Sequence, residues 1–189
     1  MLKEDIQRTD LLMQEKSTIE KSQLDPAHFK PLYEKYFKRI FLFVHRRVGD
    51  KETTADITSQ IFLKALTNIN KYESRGLPFS AWLFRIAFNE CNDFFRKTKR
   101  DRLVSLDSVT VNELFEDLTA EYGLDDLRRK LPDMLQQLSA EELQLIELRY
   151  FEQRPFREVG DILGISETHA KVRVYRTLDK MKKMFMKRQ

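Results

Sequence analysis

The chain has 189 residues, 34% of them charged and 41% hydrophobic, with only five glycines and five prolines. So few turn formers argue against an all-β fold with many tight turns, and the balance predicts a water-soluble, all-α protein of one or two small domains. The net charge is a modest +4, but Lys and Arg crowd residues 96–102 and 171–188 while Asp and Glu crowd 107–126; local basic patches suit a polyanionic partner better than the total does.

Residues 1–25 are polar, with scattered Leu11, Leu12, Met13 and Ile19, and read as an extension that is either a loose helix or a tail. Residues 27–48 form an aromatic-rich helix stopped by Gly49 and Asp50. Thr53, with Asp56 three residues on, offers a cap for a second helix running to about Asn68. Gly76 and Pro78 punctuate a loop over 70–78, and a third helix runs from about Phe79 to Arg100. Residues 101–126 hold Asp101, Asp107, Glu113, Glu116, Asp117, Glu121, Asp125 and Asp126 against a lone Arg102. That stretch is an acidic linker between domains or, with equal weight, a solvated loop carrying one short helix. Helical pattern resumes near Leu127, and Ser139 with Glu142 forms a capping box before a stripe of Leu143, Ile146, Leu148 and Tyr150. The expected domains are thus 26–100 and 127–189, with the extension 1–25 before them and the linker 101–126 between.

Helical rotation of about 100° per residue sorts the third helix into two faces. Leu83, Phe84, Ala87, Phe88, Cys91, Phe94 and Phe95 form a core face, so Cys91 reads as a small buried hydrophobe. Trp82, Ile86, Asn89, Asp93, Arg96 and Arg100 line the opposite side. Aromatics interleaved with Arg and amides suit unstacked bases, each stacking contact contributing about 1–3 kcal/mol. The commoner alternative is Trp82 packed on a neighbouring helix beside a wet surface. In the second helix Ile57, Ile61, Phe62 and Ala65 point to the core, and Asp56, Gln60, Leu63 and Thr67 align on the other side. An apolar Leu63 among polar neighbours suits a protein partner, although single exposed leucines are ordinary.

The C-terminal stretch FREVGDILGISETHAKVRVYRTLDK, preceded by Pro155, reads as helix, tight turn, basic helix. Val159 and Leu163 form an apolar pair, and Gly160 is small where two helices cross closely. Gly164 suits a left-handed helix end, and Ser166 can cap the next helix. Ile165, Ala170 and Val174 give the second helix an inner side, while Lys171, Arg173 and Arg176 project elsewhere. A helix-turn-helix places such a helix in the DNA major groove. The basic end, with Lys182, Lys183, Lys187 and Arg188, reads mainly as a solvated helix terminus.

Several classes of protein are not expected. Cys91 is the only cysteine, and His28, His45 and His169 have no metal-ligand spacing. MLKEDIQRTD lacks an apolar signal core, and no apolar run is long enough to span a bilayer. There is no Gly-rich phosphate loop or cysteine–histidine pairing, and adjacent carboxylates such as Glu141 and Glu142 diverge on a helix. A cytoplasmic protein with no cofactor, no metal, no membrane insertion and no intrinsic enzymatic activity is expected.

Together these segments resemble a bacterial RNA polymerase sigma factor of the sigma-70 family, specifically the extracytoplasmic-function (ECF) group, over about residues 27–100 and 130–185. ADITSQIFLKAL resembles the family's core-polymerase-binding segment, FSAWLFRIAFNECNDFFRK its promoter-melting segment, and LRYFEQRPFREVGDILGISETHAKVRVYRTLDKM its C-terminal helix-turn-helix. The resemblance implies two helical domains, sigma region 2 and sigma region 4, and a subunit that directs core RNA polymerase to specific promoters. It implies polymerase binding by Asp56, Gln60, Leu63, Lys64 and Thr67. Minus-10 DNA contacts fall to Tyr72, Phe79, Trp82, Arg85, Asn89, Asp93, Arg96, Lys97 and Arg100, with a flipped base against the loop at Tyr72–Phe79. Minus-35 DNA contacts fall to Ser166, Glu167, His169, Lys171, Arg173 and Arg176. The acidic linker is implied to thread the polymerase cleft, and an anti-sigma factor, often membrane-attached in this group, is a further implied partner. Thr168 stands where the family usually has Gly and Val172 where it often has Ser, both on the recognition helix. The competing reading is a free-standing helix-turn-helix regulator, which has no need of a Trp–Asn–Asp–Arg stripe beside a partner-binding helix.

Overall fold

The computed structural model describes residues 2–74, 77–98, 112–118 and 124–186. Gly76, Arg100, Lys187, Arg188 and the stretches 101–111 and 119–123 lie outside the described residues. The regular structure among the described residues is helical, and the chain divides into two compact units, Met1–Leu103 and Val104–Gln189.

Unit 1 contains α1 (Leu2–Leu24), a 3-10 turn at Pro26–Phe29, α2 (Lys30–Val48), α3 (Lys51–Thr67), a 3-10 turn at Ile69–Lys71 and α4 (Phe79–Thr98). Gly49, at φ 76°, ends α2 by donating its N–H to the His45 carbonyl at 2.8 Å. The chain turns at once into α3, so the cap is Asp50, whose carboxylate accepts the Thr53 N–H at 2.7 Å. Thr53, expected as the cap, lies inside the helix because no loop separates α2 from α3. The core forms where α2, α3 and α4 pack on one another. Ile40, Val44, Ile61, Ala65, Leu83, Phe84, Ala87 and Cys91 have no exposed surface. The core face expected for α4 is present, except that Phe94 is half-buried. The 1–25 segment is helix α1, packed on both 3-10 turns and on α2. It buries Ile19 together with the polar Glu15 and Ser22. That polar burial is why no apolar period announced it.

Unit 2 contains α5 (Asn112–Leu118), α6 (Leu124–Gln136), α7 (Ala140–Ile146) passing into a π-helical turn at Glu147–Phe151, α8 (Phe156–Leu163) and α9 (Glu167–Met186). The capping box at α7 is complete: Glu142 N–H donates to Ser139 Oγ at 3.3 Å, and Ser139 N–H to Glu142 Oε2 at 2.8 Å. Within the acidic stretch, α5 buries Leu114, Phe115 and Leu118 and packs against α9. The Tyr150 hydroxyl donates to Asp117 at 2.6 Å. Burial first, and then that carboxylate, raise the tyrosine pKa. This part of the expected linker is therefore folded into unit 2.

The α8–α9 crossing is set by glycine. A Cβ on Gly160 would stand 2.7 Å from the Ile165 carbonyl and 3.2 Å from the Glu167 nitrogen, both backbone atoms that cannot swing aside. Gly164 turns the chain at φ 70°, and the Ile165 N–H closes the turn on the Gly160 carbonyl at 2.9 Å. Val159 is fully buried and Ile162 nearly so, while Leu163 lies half-exposed. Ala170, Val174, Leu178, Met181 and Phe185 form the buried side of α9.

Lys180 of α9 reaches Glu142 of α7 at 2.6 Å. Burial opposes the charge on Glu142, but the Lys180 and Ser139 hydrogen bonds prevail and hold its carboxyl below the ordinary value of 4.5. A carboxyl that binds its proton less readily in the folded state stabilises fully above that ordinary value. The contribution fades as pH falls through the lower, folded value. Amide hydrogen exchange in α7 and around Lys180 is expected to quicken from pH 7 to pH 4, relative to intrinsic rates, and Glu142→Gln is expected to flatten that dependence. Gly160→Ala is expected to cost about 2–3 kcal/mol of α8–α9 protection. Gly164→Ala, which meets nothing within 4 Å, is expected to cost about 1 kcal/mol through its positive φ alone.

Candidate nucleic-acid and polymerase interfaces

The outward side of α4 borders a groove of about 540 Å³. Trp82, Ile86, Asn89 and Asp93 line one side of it, and Lys64, Asn68 and Lys71, from the end of α3 and the turn after it, line the other. Asn68, Lys71 and the neighbouring Asn92 were missed in the sequence. The signal of the first two was a polar run after an amphipathic helix, indistinguishable there from an ordinary loop, and Asn92 lies inside α4 between its two faces. Lys64 pairs with Glu90 across α3 and α4 at 2.5 Å, so this expected polymerase contact also forms part of the groove wall.

The aromatic residues expected to meet DNA divide into two kinds. Phe79 has no exposed surface and Tyr72 is nearly buried. They cannot meet a base in this conformation and instead support Trp82, whose ring centroid lies 5.3 Å from Tyr72 and 5.4 Å from Phe79. Trp82 is half-exposed and Asn89 exposed. Arg85 is half-buried beside the stripe, and Lys97 is exposed. Arg96 is exposed and held by Asp93 at 2.9 Å.

The outer face of α3 carries Asp56, Gln60 and Leu63, the last 53% exposed. Thr67 is exposed there too, but its hydroxyl is turned back onto the Leu63 carbonyl at 2.9 Å. Leu63 is not the only large apolar side chain exposed in unit 1: Tyr33 and Phe37 of α2, both partly exposed, lie against the buried Phe62 of α3. Aromatic spacing along α2 was visible in the sequence, but which of those rings stayed in solvent was not.

On α9, Glu167, His169, Lys171 and Arg176 are exposed, as are Thr168 and Val172. Ser166 is exposed, but its Oγ accepts the His169 N–H at 3.2 Å, so its acceptor is engaged in capping. Arg173 is not the free cation its position suggested: it bridges to Glu141 of α7 at 2.5 Å. Tyr175, half-exposed on the same helix and tilted against Phe156 with ring centroids 6.1 Å apart, was missed. Among the described residues no group of His, Cys, Asp or Glu could hold a metal ion, and no helix is long and apolar enough to cross a membrane.

Residues 32–101 match the family model for sigma-70 region 2, and residues 134–183 that for sigma-70 region 4. The chain is 30% identical to the ECF RNA polymerase sigma factor BldN of Streptomyces coelicolor over 85% of its own length, although it spans only 61% of BldN. It is 24% identical to the ECF RNA polymerase sigma factor SigM of Bacillus subtilis over 82% of this chain and 93% of SigM. Among solved structures it is similar in fold to CnrH, determined in complex with the cytosolic domain of CnrY. The TM-score is 0.63 at 16% identity, over 93% of this chain and 99% of that one. With a region 2 match on the unit that bears the α4 stripe and a region 4 match on the unit that bears the helix-turn-helix, the chain belongs to the sigma-70 family of RNA polymerase sigma factors, in its ECF group.

Proposed function

We propose that this chain is the initiation subunit that binds core RNA polymerase in the cytoplasm, directs it to specific promoters and helps melt the minus-10 region. One observation carries the reading: the half-exposed Trp82 and the amide of Asn89 border a single groove, in a chain that also bears an exposed basic recognition helix. Extruding a base costs a few kcal/mol, and stacking on an aromatic returns about 1–3 kcal/mol. Trp82 and Ile86 supply the apolar surface for it. Asn89 supplies both a donor and an acceptor for a base edge. Lys71, Arg96 and Lys97 place positive charge along the strand, while Phe79 and Tyr72 act indirectly by holding Trp82. Arg96 is in a solvent-exposed pair worth at most about 1 kcal/mol, so a phosphate can displace Asp93 from it.

In unit 2, Glu167 and His169 sit at the end of the recognition helix that meets base edges, and Lys171 and Arg176 are placed for phosphate. Arg173 joins them by exchanging Glu141, whose side chain is largely in solvent. Polymerase docks on the outer face of α3 through Asp56, Gln60 and Leu63, extended by Tyr33 and Phe37 of α2. An anti-sigma factor, membrane-attached in many systems of this group, competes for the α3 face and for the recognition helix.

Run-off transcription with core RNA polymerase tests the reading. Promoter-specific initiation is expected; tight binding to duplex DNA by the chain alone, with no initiation, would overturn it in favour of a free-standing regulator. Arg173→Glu combined with Arg176→Glu is expected to weaken promoter-duplex binding by at least about tenfold while leaving co-purification with core polymerase intact. Leu63→Asp is expected to give the opposite pattern.

A further inference from the structure

Glu15 and Gln23 lie about two turns apart on α1, far in sequence from the DNA-facing stripe, yet both act on the segment that leads into it. Gln23 Nε2 donates to the Ile69 carbonyl at 3.0 Å and to the Tyr72 carbonyl at 2.9 Å. One amide thus fixes the turn where the chain leaves α3. At the far end, Glu15 Oε1 accepts the N–H of Phe79, the first residue of α4, at 3.3 Å. The first N–H groups of a helix have no partner within it, and a carboxylate there is favoured both by hydrogen bonding and by the helix dipole. Glu15 Oε2 accepts from the Tyr36 hydroxyl and from Lys35 Nζ, each at 2.5 Å. Glu15 is 8% exposed, so its carboxylate is aimed by its donors rather than by solvent.

The two fixed ends, Tyr72 and Phe79, are also the two rings that flank Trp82. We infer that α1 is a clamp on the minus-10 segment: Glu15 and Gln23 are positioning residues that hold Tyr72 and Phe79, and through them the stacking surface of Trp82. The inference rests on the sigma-factor reading for its consequence on DNA, and on the geometry of unit 1 alone for its effect on Trp82. Neither residue touches nucleic acid. Their role is to hold the Trp82 surface ready before a base arrives, so that ordering it costs nothing at the moment of capture.

The test separates donor chemistry from mere packing. Gln23→Glu keeps nearly the same shape but turns a carboxylate toward two carbonyls, whereas Gln23→Met keeps bulk and removes the donor. Both sit at a partly exposed position. Glu15→Ala removes the other end of the clamp. Trp82 is the only tryptophan, so acrylamide quenching of the free full-length chain reads the clamp without DNA. The DNA probe is a pool of single-stranded oligonucleotides randomised through the minus-10 positions, from which wild-type holoenzyme selects a binding sequence. Gln23→Glu is expected to make Trp82 more quenchable and to weaken the selected oligonucleotide about tenfold, Gln23→Met about threefold, each with core-polymerase affinity within about twofold of wild type. The inference is overturned if Gln23→Glu leaves quenching and oligonucleotide binding unchanged, or if core affinity falls in parallel with oligonucleotide affinity. If wild-type holoenzyme selects no sequence, the sigma-factor reading fails instead, and quenching still decides the clamp.

Discussion

Arg47 lies over the rings of both Phe43 and Phe88, its guanidinium carbon 4.2 and 3.9 Å from their centroids, and is 3% exposed. A guanidinium is hydrated weakly enough to be buried this way, and a desolvated cation–π contact is worth about 2 kcal/mol. Phe43 also meets Phe84 at 5.1 Å and Phe88 at 5.4 Å. This packing settles the rotation of α4. The helix is apolar around much of its circumference, and Trp82 or Ile86 could in principle have turned inward. A rotation by one residue, about 100°, would forfeit the whole Phe43–Arg47–Phe88 stack. What α4 offers to the outside is thus determined by what fits on its back.

Unit 2 follows the same logic with a different device. Backbone contact at Gly160 presses α8 onto the start of α9 and fixes how that helix projects. In each unit one cation of the proposed DNA surface is held by a nearby carboxylate, Arg96 by Asp93 and Arg173 by Glu141. Such pairs are weak in solvent. They hold a long side chain near its working position without competing strongly against phosphate, which lowers the rotamer entropy lost on binding.

Features written in short-range spacing were legible in the sequence. The Ser139–Glu142 box, the close crossing at Gly160, the left-handed turn at Gly164 and the two faces of α4 each depend on residues a few positions apart. What escaped depends on distant partners. Glu15 and Gln23 made α1 look like a polar extension, because the groups that satisfy them belong to Tyr36, Ile69, Tyr72 and Phe79. The acidic residues around α5 hid Leu114, Phe115 and Leu118, whose partner helix, α9, lies much further along the chain. Phe79 was assigned to DNA by the resemblance, because its place at the start of α4 was visible and its burial was not. The pair of Arg173 with Glu141 escaped because Glu141 sits on another helix. The groove itself needs the end of α3 as well as α4, so no single-helix projection could show it.

The burial of Cys91 has an experimental use. Its sulfur has no exposed surface on the inner face of α4, and only an accessible thiolate reacts. A thiol reagent added to the native chain therefore reports the opening of unit 1, from a single native atom and with no mutation or label. A partner that binds only the closed unit slows that reaction by mass action. Thiol modification rates thus turn occupancy of this unit into a readout that needs neither a promoter nor a transcript.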